Sequence, residues 1–338
     1  MHTGASLRWL SRALAVSVAS GWGLANVASR HALSSMTQRQ LSIKMAETEA
    51  SSEPYIFNET VQILDIAEHH VVVCKPPSVL CHHSDRSRST SSKRDEPEVP
   101  MLQRTREAIG QRVNLVHRLD RGASGCLLFT RASSDEGGLN ATATLQQAMT
   151  EATKTYVALV RGEGIFKGRD FRQEGWFEVT RPIKDESGKI NNATTYFRFV
   201  AGQDNGDGTI DRPRASLVLA RPKTGRWHQI RRHLNGLSHP ILGDSTHGVS
   251  KVNREWRENM GMLPERICLH LLQLELPPTS VCPNGIRVAS PLAPDMMELL
   301  EKYLPGVLQQ ATPILKEEGL ELIPSQDNST LVPIQIVY

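Results

Sequence analysis

The sequence predicts an α+β fold built on a mixed, mainly antiparallel sheet. Strand-like and helical segments are interspersed along the chain, but without the steady strand–helix alternation of a parallel α/β sheet. The chain has 338 residues, of which 39% are hydrophobic and 22% charged, so it has the composition of an ordinary globular protein. No uninterrupted apolar run reaches the ~18 residues that a membrane-spanning helix needs, and we therefore expect no membrane partner.

The first 45 residues differ from the remainder in charge. They carry five basic residues and no acidic one, whereas the rest of the chain has 34 basic against 36 acidic residues. Leu7, Leu10, Leu14 and Val18 recur at helical spacing. A basic, acid-free amphipathic segment is typical of an organelle transit peptide, and we expect a mitochondrion rather than a plastid. A secretory signal, a disordered tail, or a cytoplasmic protein that starts internally are the alternatives.

The remaining chain divides by composition into three parts, the second of which contains an insertion. Residues 46–56 read as a linker, and residues 57–303 contain the patterned segments of one domain. Within that domain, residues 84–99 are rich in Ser and Arg, so we expect a mobile insertion. Residues 304–338 are interrupted by prolines and weakly patterned, which makes them a C-terminal extension.

Hydrophobic periodicity predicts the elements of the domain in order. Short apolar runs bounded by Gly, Pro or polar turn signals predict strands, and apolar residues three and four apart predict helices. The first two strands lie within 61–75, around a polar turn, and a Pro-Pro pair follows them. Further strands are predicted at 113–119, 125–130, 154–161, 193–200 and 215–221, and helices at 101–110, 139–150, 226–236 and 294–303.

Residues 117–125 (HRLDRGASG) are the densest group of chemically active side chains. A strand ends in charged residues, and a turn flanked by glycines leads into the next strand. Asp120 at this corner could project into a cleft while rigid elements fix its position. Alternatively it caps the turn, since Asp beside Gly is common turn chemistry.

A second segment, residues 154–162 (KTYVALVRG), reads as a strand. Its alternation places Lys154 and Tyr156 on one face. A tyrosine there could stack on a nucleobase, because its ring is a flat apolar surface with a hydrogen-bonding hydroxyl. The alternative is a tyrosine packed within the sheet.

The third segment, residues 221–234, holds five Lys or Arg residues and no acid. Thr224 is a candidate N-cap for a helix whose buried stripe is Ile230, His233, Leu234 and Leu237. Such a helix could offer guanidinium groups to phosphates or pair one with a carboxylate. The alternative is a solvated basic helix. Asp244 supplies another acid downstream.

Metal chemistry is not indicated. The twelve histidines form no HExxH pattern, and the five cysteines are odd in number and never paired as CxxC. We therefore predict no metal site and no disulfide framework.

Together these three segments, in this order, resemble the RluA family of pseudouridine synthases. The matching motifs are HRLD with SG, KxYxAxVxG, and TGRxHQIRxHL followed by HPIxGD, and the likeness spans roughly residues 57–300. The segments KPPSVLCHHSD, RRHL and GDSTHG are most similar to a branch that modifies tRNA. Ala123 and Leu271 depart mildly from the family pattern, and Trp227 occupies a variable position.

The resemblance implies the pseudouridine synthase fold, with a cleft across the middle of the sheet. It also implies that Asp120 is catalytic, that Tyr156 lies against the target uracil and that Arg231 pairs with Asp120. Arg118 would help to hold the target base out of the RNA helix. The residues expected to bind RNA are Arg118, Arg121, Lys154, Lys223, Arg226, His228 and Arg232.

The implied activity is isomerisation of uridine to pseudouridine in RNA. The glycosidic bond breaks, the uracil turns and is rejoined through carbon, so no redox cofactor, metal or activated donor is required. We expect a monomer that acts on tRNA. The alternatives are an rRNA-modifying enzyme and a catalytically idle RNA-binding protein.

Overall fold

The computed structural model describes residues 56–83, 98–131, 140–203, 213–324 and 329–337. The predicted targeting segment, 1–45, lies outside these residues, as do nearly all of the predicted linker, 46–56, and of the predicted insertion, 84–99. The predicted insertion extends slightly too far, because Val99 is fully buried and so belongs to the core.

The described residues contain fifteen strands, and eleven of them join one sheet. The strands are β1 (Ile56–Ile66), β2 (His70–Lys75), β3 (Val113–Leu115), β4 (Ser124–Arg131), β5 (Thr153–Arg161), β6 (Ile165–Phe166), β7 (Arg169–Asp170), β8 (Trp176–Thr180), β9 (Ile183–Lys184), β10 (Ile190–Asn191), β11 (Thr194–Gln203), β12 (Ala215–Pro222), β13 (Leu269–Leu276), β14 (Ile286–Ala289) and β15 (Thr330–Val337).

The same residues contain six α-helices. They are α1 (Met101–Ile109), α2 (Ala141–Ala148), α3 (Gln229–Gly236), α4 (Ser250–Met260), α5 (Pro294–Tyr303) and α6 (Pro305–Glu317). Each of the four helices predicted from periodicity is present. None of the described helices is both long enough and apolar enough to cross a membrane.

The main sheet is mixed and mainly antiparallel, as the sequence predicted. Its strand order is β15-β1-β2-β4-β13-β5-β12-β11-β8, with β14 beside β13 and β3 beside β4. Of the pairings whose registers are described, only β4 with β13 is parallel, and it aligns Ser124 with His270 and Gly125 with Leu271. Strands β4 and β12 are buried along almost their whole length, and β5 along six of its nine residues, so the loops at their ends start from fixed positions.

The C-terminal extension packs on the sheet. Helix α6 lies against β11 and buries Val307, Ala311 and Leu315, whereas β15 pairs with β1 at the sheet edge. The chain from Phe57 to Ile336 therefore forms one compact unit that includes most of this extension.

Candidate active site

Asp120 lies in the short loop between β3 and β4. The loop turns where the Ala123 N–H donates to the Asp120 carbonyl oxygen at 3.1 Å, and β4 begins at the next residue. Gly125 has a φ of +110°, and a Cβ there would lie 2.3 Å from the Leu271 carbonyl oxygen. Only glycine fits at this position, so the close approach of β13 fixes where the loop ends.

Two buried basic side chains hold the loop in place. Lys75 is fully buried and donates to the carbonyl oxygens of Arg121 at 2.9 Å and Ala123 at 2.7 Å. Burial lowers the pKa of Lys75 to about 7. Arg266, also fully buried, donates to the Gly122 carbonyl oxygen at 3.0 Å. Sequence reasoning missed both residues as site components, although Lys75 begins the KPPSVLCHHSD segment.

The predicted pairing of Arg231 with Asp120 is confirmed. Arg231 on α3 donates from Nη1 to Asp120 Oδ2 at 2.8 Å. Its other edge makes two hydrogen bonds to Asp244, from Nε at 2.7 Å and from Nη2 at 2.8 Å. One guanidinium thus bridges two carboxylates in a planar arrangement that only arginine provides.

Burial differs across this trio. The side chains of Arg231 and Asp244 are 4% and 1% exposed, whereas that of Asp120 is 29% exposed. Burial alone would raise the pKa of Asp244, but the hydrogen bonds and charge of Arg231 lower it overall. Burial likewise opposes the charge of Arg231, yet its two carboxylate partners raise its pKa. The buried pair stays ionised, and it presents Asp120 at the surface of the site.

Asp244 was noted in the sequence only as another acid, without a role. Its Oδ1 also accepts hydrogen bonds from the backbone N–H groups of Thr246 and His247, both at 2.9 Å. The Gly243-Asp244 pair in the HPILGD segment is the sequence signal from which a site role for Asp244 could have been predicted.

Tyr156 faces the same hollow as Asp120. The hollow has a volume of about 150 Å³, and its lining includes Tyr156, Ile230, Arg231 and Leu269. Burial, with the nearby Asp120 charge, raises the pKa of Tyr156 well above its usual range, so the phenol stays neutral. The hollow therefore combines apolar side chains with the Asp120 carboxylate and the guanidinium groups of Arg118, Arg226 and Arg231.

A larger cleft of about 720 Å³ opens over this hollow and shares Asp120 and Tyr156 with it. Five of the seven residues predicted to bind RNA line the cleft: Arg118, Lys154, Lys223, Arg226 and His228. Among the residues that the structure describes, no cluster of three or more His, Cys, Asp or Glu side chains could hold a metal ion.

The other two predicted RNA contacts, Arg121 and Arg232, do not line the cleft. The guanidinium of Arg121 lies 3.1 Å from Glu98 and 3.2 Å from Glu265, so two carboxylates already neutralise it. Arg232 donates to the Lys184 carbonyl oxygen at 2.7 Å, with its guanidinium 5.2 Å from the ring centre of Trp227. Both are engaged within the protein, and their contact with RNA stays a prediction.

Helix α3 begins later than the sequence predicted. Its first residue is Gln229, and the N-cap position is held by His228 in a left-handed conformation with φ of +53°. Thr224 is therefore not the N-cap, and its hydroxyl instead donates to Gln229 Oε1 at 2.7 Å. The buried stripe is as predicted for Ile230, His233 and Leu234.

His228 belongs to a stack at the cleft rim. Its ring lies 3.9 Å from that of Trp227, and its Nδ1 is 3.0 Å from His247 Nε2. Burial is the largest influence and lowers the pKa of His228 to about 4. His228 is therefore neutral at neutral pH.

Known proteins share this arrangement of segments. The family model described as RNA pseudouridylate synthase matches residues 69–236. The tRNA pseudouridine synthase C of Yersinia pestis is 35% identical over 223 residues, which cover 64% of this chain and 80% of that protein. The chain belongs to the RNA pseudouridylate synthase family. The protein of the same name from Vibrio cholerae is 34% identical over 224 residues, 61% of this chain and 81% of its own.

The fold agrees with that of a solved family member. Human RNA Pseudouridylate Synthase Domain Containing 1 superposes with a TM-score of 0.50 at 21% identity, over 78% of this chain and 97% of its own. The predicted pseudouridine synthase fold is confirmed. As a member of this family, the chain is an isomerase that forms pseudouridine in RNA.

Proposed function

We propose that this pseudouridine synthase acts on tRNA and that Asp120 is its catalytic residue. The observation that carries the proposal is the Asp120 carboxylate, held 2.8 Å from the Arg231 guanidinium at a hollow lined by Tyr156. The names of the curated relatives support tRNA as the substrate.

The reaction breaks the bond between ribose C1′ and uracil N1 and joins C1′ to C5 instead. The proton on C5 leaves and N1 gains one, so the atoms balance without a redox step or second substrate. One carboxylate suffices, either as a covalent nucleophile or as a base at the ribose. Within the described residues Asp120 Oδ1 receives no hydrogen bond, which leaves this oxygen for the substrate.

The uracil ring has a place to turn in the hollow beside Asp120. Tyr156, Ile230 and Leu269 give it apolar walls, and the neutral Tyr156 ring is a surface on which a pyrimidine stacks. A base within a duplex cannot reach this depth, so the nucleotide is flipped out of its helix. Arg118 also lines the hollow, and in this proposal its side chain occupies the gap that the base leaves.

The RNA backbone is held by the cationic rim of the cleft. Lys154, Lys223 and Arg226 line it, whereas the chain after residue 45 carries more acidic than basic residues. Binding therefore depends on this local patch rather than on net charge, and it recognises RNA by shape and backbone.

A comparison of pseudouridine maps tests the substrate. Pseudouridine is mapped in tRNA and rRNA from cells with and without the protein, and again after purified protein is added to RNA from the deficient cells. We expect at least one tRNA uridine to lose its modification and regain it. Restoration in rRNA alone would contradict the tRNA assignment.

The Asp120→Asn variant tests the catalytic role. It keeps the shape and removes the charge, so we expect the variant to fold and bind tRNA but to form no pseudouridine. Asp185→Asn, which alters an exposed turn outside the cleft, is the matched control. Asp120→Asn turnover within about tenfold of wild type, a barrier change of only ~1.4 kcal/mol, would contradict the role and favour a different catalytic group.

We further propose that the protein works in mitochondria, on the basis of the acid-free, five-cation segment 1–45. Fusing residues 1–45 to a fluorescent reporter tests this. We expect the fusion to enter mitochondria, and the same fusion with all five cations replaced by Gln to stay in the cytosol. A reporter found in plastids, or left in the cytosol, would overturn the proposal.

A further inference from the structure

A second cavity of about 380 Å³ lies beside the catalytic cleft. Its lining includes Trp176 on β8, Tyr196 on β11 and Arg221 on β12, together with Lys154 and Lys223. This volume falls within the range of about 300–1,000 Å³ that is usual for ligand sites. None of the three residues Trp176, Tyr196 and Arg221 has a part in the chemistry described above.

The walls of this cavity have the composition of a nucleotide site. The Arg221 guanidinium lies 4.3 Å from the ring centre of Trp176, and the Lys223 ammonium lies 5.9 Å from that of Tyr196. Aromatic rings and guanidinium planes are the surfaces on which unpaired RNA bases stack, and ammonium groups bind phosphate.

Glu318, just after α6, holds two of these walls in place. Trp176 Nε1 donates to Glu318 Oε1 at 2.6 Å, and Arg221 Nη2 donates to Glu318 Oε2 at 3.2 Å. Arg198 forms an ion pair with the same carboxylate, whose side chain is only 12% exposed. The site is therefore arranged before any ligand binds, which reduces the entropic cost of binding.

Two lysines connect this cavity to the catalytic cleft, since Lys154 and Lys223 line both. Among the described residues, neither lysine forms an ion pair with a carboxylate. Burial and the neighbouring Lys223 charge lower the pKa of Lys154, so the two ammonium groups repel each other. An anion placed between them would relieve this repulsion.

We propose that this cavity is a second nucleotide subsite, which stacks a base of the RNA strand flanking the target uridine while Lys154 and Lys223 hold the intervening phosphate. The inference rests on the proposed function, because that function supplies the RNA strand in the cleft. It assigns Trp176, Tyr196 and Arg221 to substrate binding and Glu318 to their positioning.

An abasic scan combined with Trp176→Ala tests the subsite. The probe is a transcript of a tRNA in which the wild-type protein forms pseudouridine, with single abasic nucleotides placed around the target uridine. With the full-length wild type, we expect one flanking abasic position to weaken binding at least about fivefold. Trp176→Ala should weaken binding of the intact transcript by a similar factor. In this variant the abasic nucleotide at that one position should cause no further loss of affinity, whereas the other positions keep their effect.

Arg221→Gln should give the same loss of sensitivity, and Arg287→Gln, an exposed arginine on β14, is its matched control. If Trp176→Ala does not fold, Arg221→Gln carries the test. Full abasic sensitivity at every position in both Trp176→Ala and Arg221→Gln would overturn the subsite.

Failure of the proposed function can be distinguished from failure of the subsite. A wild type that modifies no tRNA transcript contradicts tRNA as the substrate. Binding of fluorescein-labelled octauridine then decides the subsite, and affinity unchanged by Trp176→Ala and by Arg221→Gln would overturn it.

Discussion

The Asp120 carboxylate is positioned by a second carboxylate that lies deeper in the protein. Asp244 takes two hydrogen bonds from Arg231 and so fixes the guanidinium plane, and only the remaining Nη1 reaches Asp120. Removing one partner of a buried ion pair costs about 3–5 kcal/mol, because the other charge stays buried. Asp244 therefore matters to the site although it lies outside the hollow.

Arg231→Lys keeps the charge but loses the planar fork that bridges the two carboxylates. We expect turnover on tRNA to fall more than about tenfold while the Kd for tRNA changes less. Arg226→Lys is the control, since this exposed rim residue should affect binding at least as much as turnover. A change in Kd alone for Arg231→Lys would reduce Arg231 to a phosphate contact.

At this scale the sequence predicted that Asp120, Tyr156 and Arg231 are site residues, because each lies within a contiguous motif that resembles a family motif. It could not predict Lys75 or Arg266, whose contacts with the loop join residues 48 and 144 positions apart. The ion pairs of Arg121 with Glu98 and Glu265 could not be predicted for the same reason. A motif shows a cation, but the two carboxylates that neutralise it come from distant loops.

The hairpin of β1 and β2 contains an ion pair that links stability to pH. His70 Nε2 lies 2.7 Å from Asp65 Oδ2, and His70 is 5% exposed. Burial alone would lower the pKa of His70, but the hydrogen bond to Asp65 and the contact with Cys282 raise it to about 9. The protonated form is thus more favourable in the folded protein than in the unfolded chain.

The free energy of unfolding should therefore include a His70 contribution that is complete below pH 6.5. This contribution is lost as pH rises from 6.5 to 9, because the unfolded chain releases the proton first. Urea unfolding at pH 6 and pH 9 measures it. His70→Gln should lose less stability across this range than the wild type or the His69→Gln control, and an equal loss in all three would contradict the assignment.

Elements with strong periodicity were predicted, and those fixed by tertiary contacts were not. Helices α1, α2 and α5 match their predicted segments within two residues, because their apolar positions recur at helical spacing. Helix α6 was missed because Pro313 interrupts its pattern, whereas Pro305 stands at its first position, where proline is favourable. Helix α6 is held by packing on β11 and by the ion pairs of Glu318.

On the scale of the whole molecule, charge separates segment 1–45 from the rest of the chain. A truncated protein that starts at Glu47 keeps every residue of the cleft and loses five cations. We expect its activity on tRNA, and the dependence of log Kd on log salt concentration, to match the full-length protein. A markedly shallower slope would mean that the segment grips phosphates, because each phosphate contact steepens the slope.

The sequence predicted the kind of sheet but not its strand order. Periodicity identifies a strand without naming its neighbour, and β13 lies between β4 and β5 although it comes far later in the chain. The Ser124 hydroxyl meets His270 Nδ1 at 2.8 Å across a separation of 146 residues. Such pairings follow from close packing at positions such as Gly125, which a single sequence does not display.

The pairing of β15 with β1 can form only after nearly the whole chain has been synthesised. Gln62 on β1 and Ser329, just before β15, form a hydrogen bond across 267 positions. Ribosomes add roughly 5–20 residues per second, so the outer edge of β1 stays open for on the order of tens of seconds. An open strand edge is a template for aggregation. During this interval the outer edge of β1 is open to association with other strands, whereas its other edge can pair with β2 as soon as that strand is made.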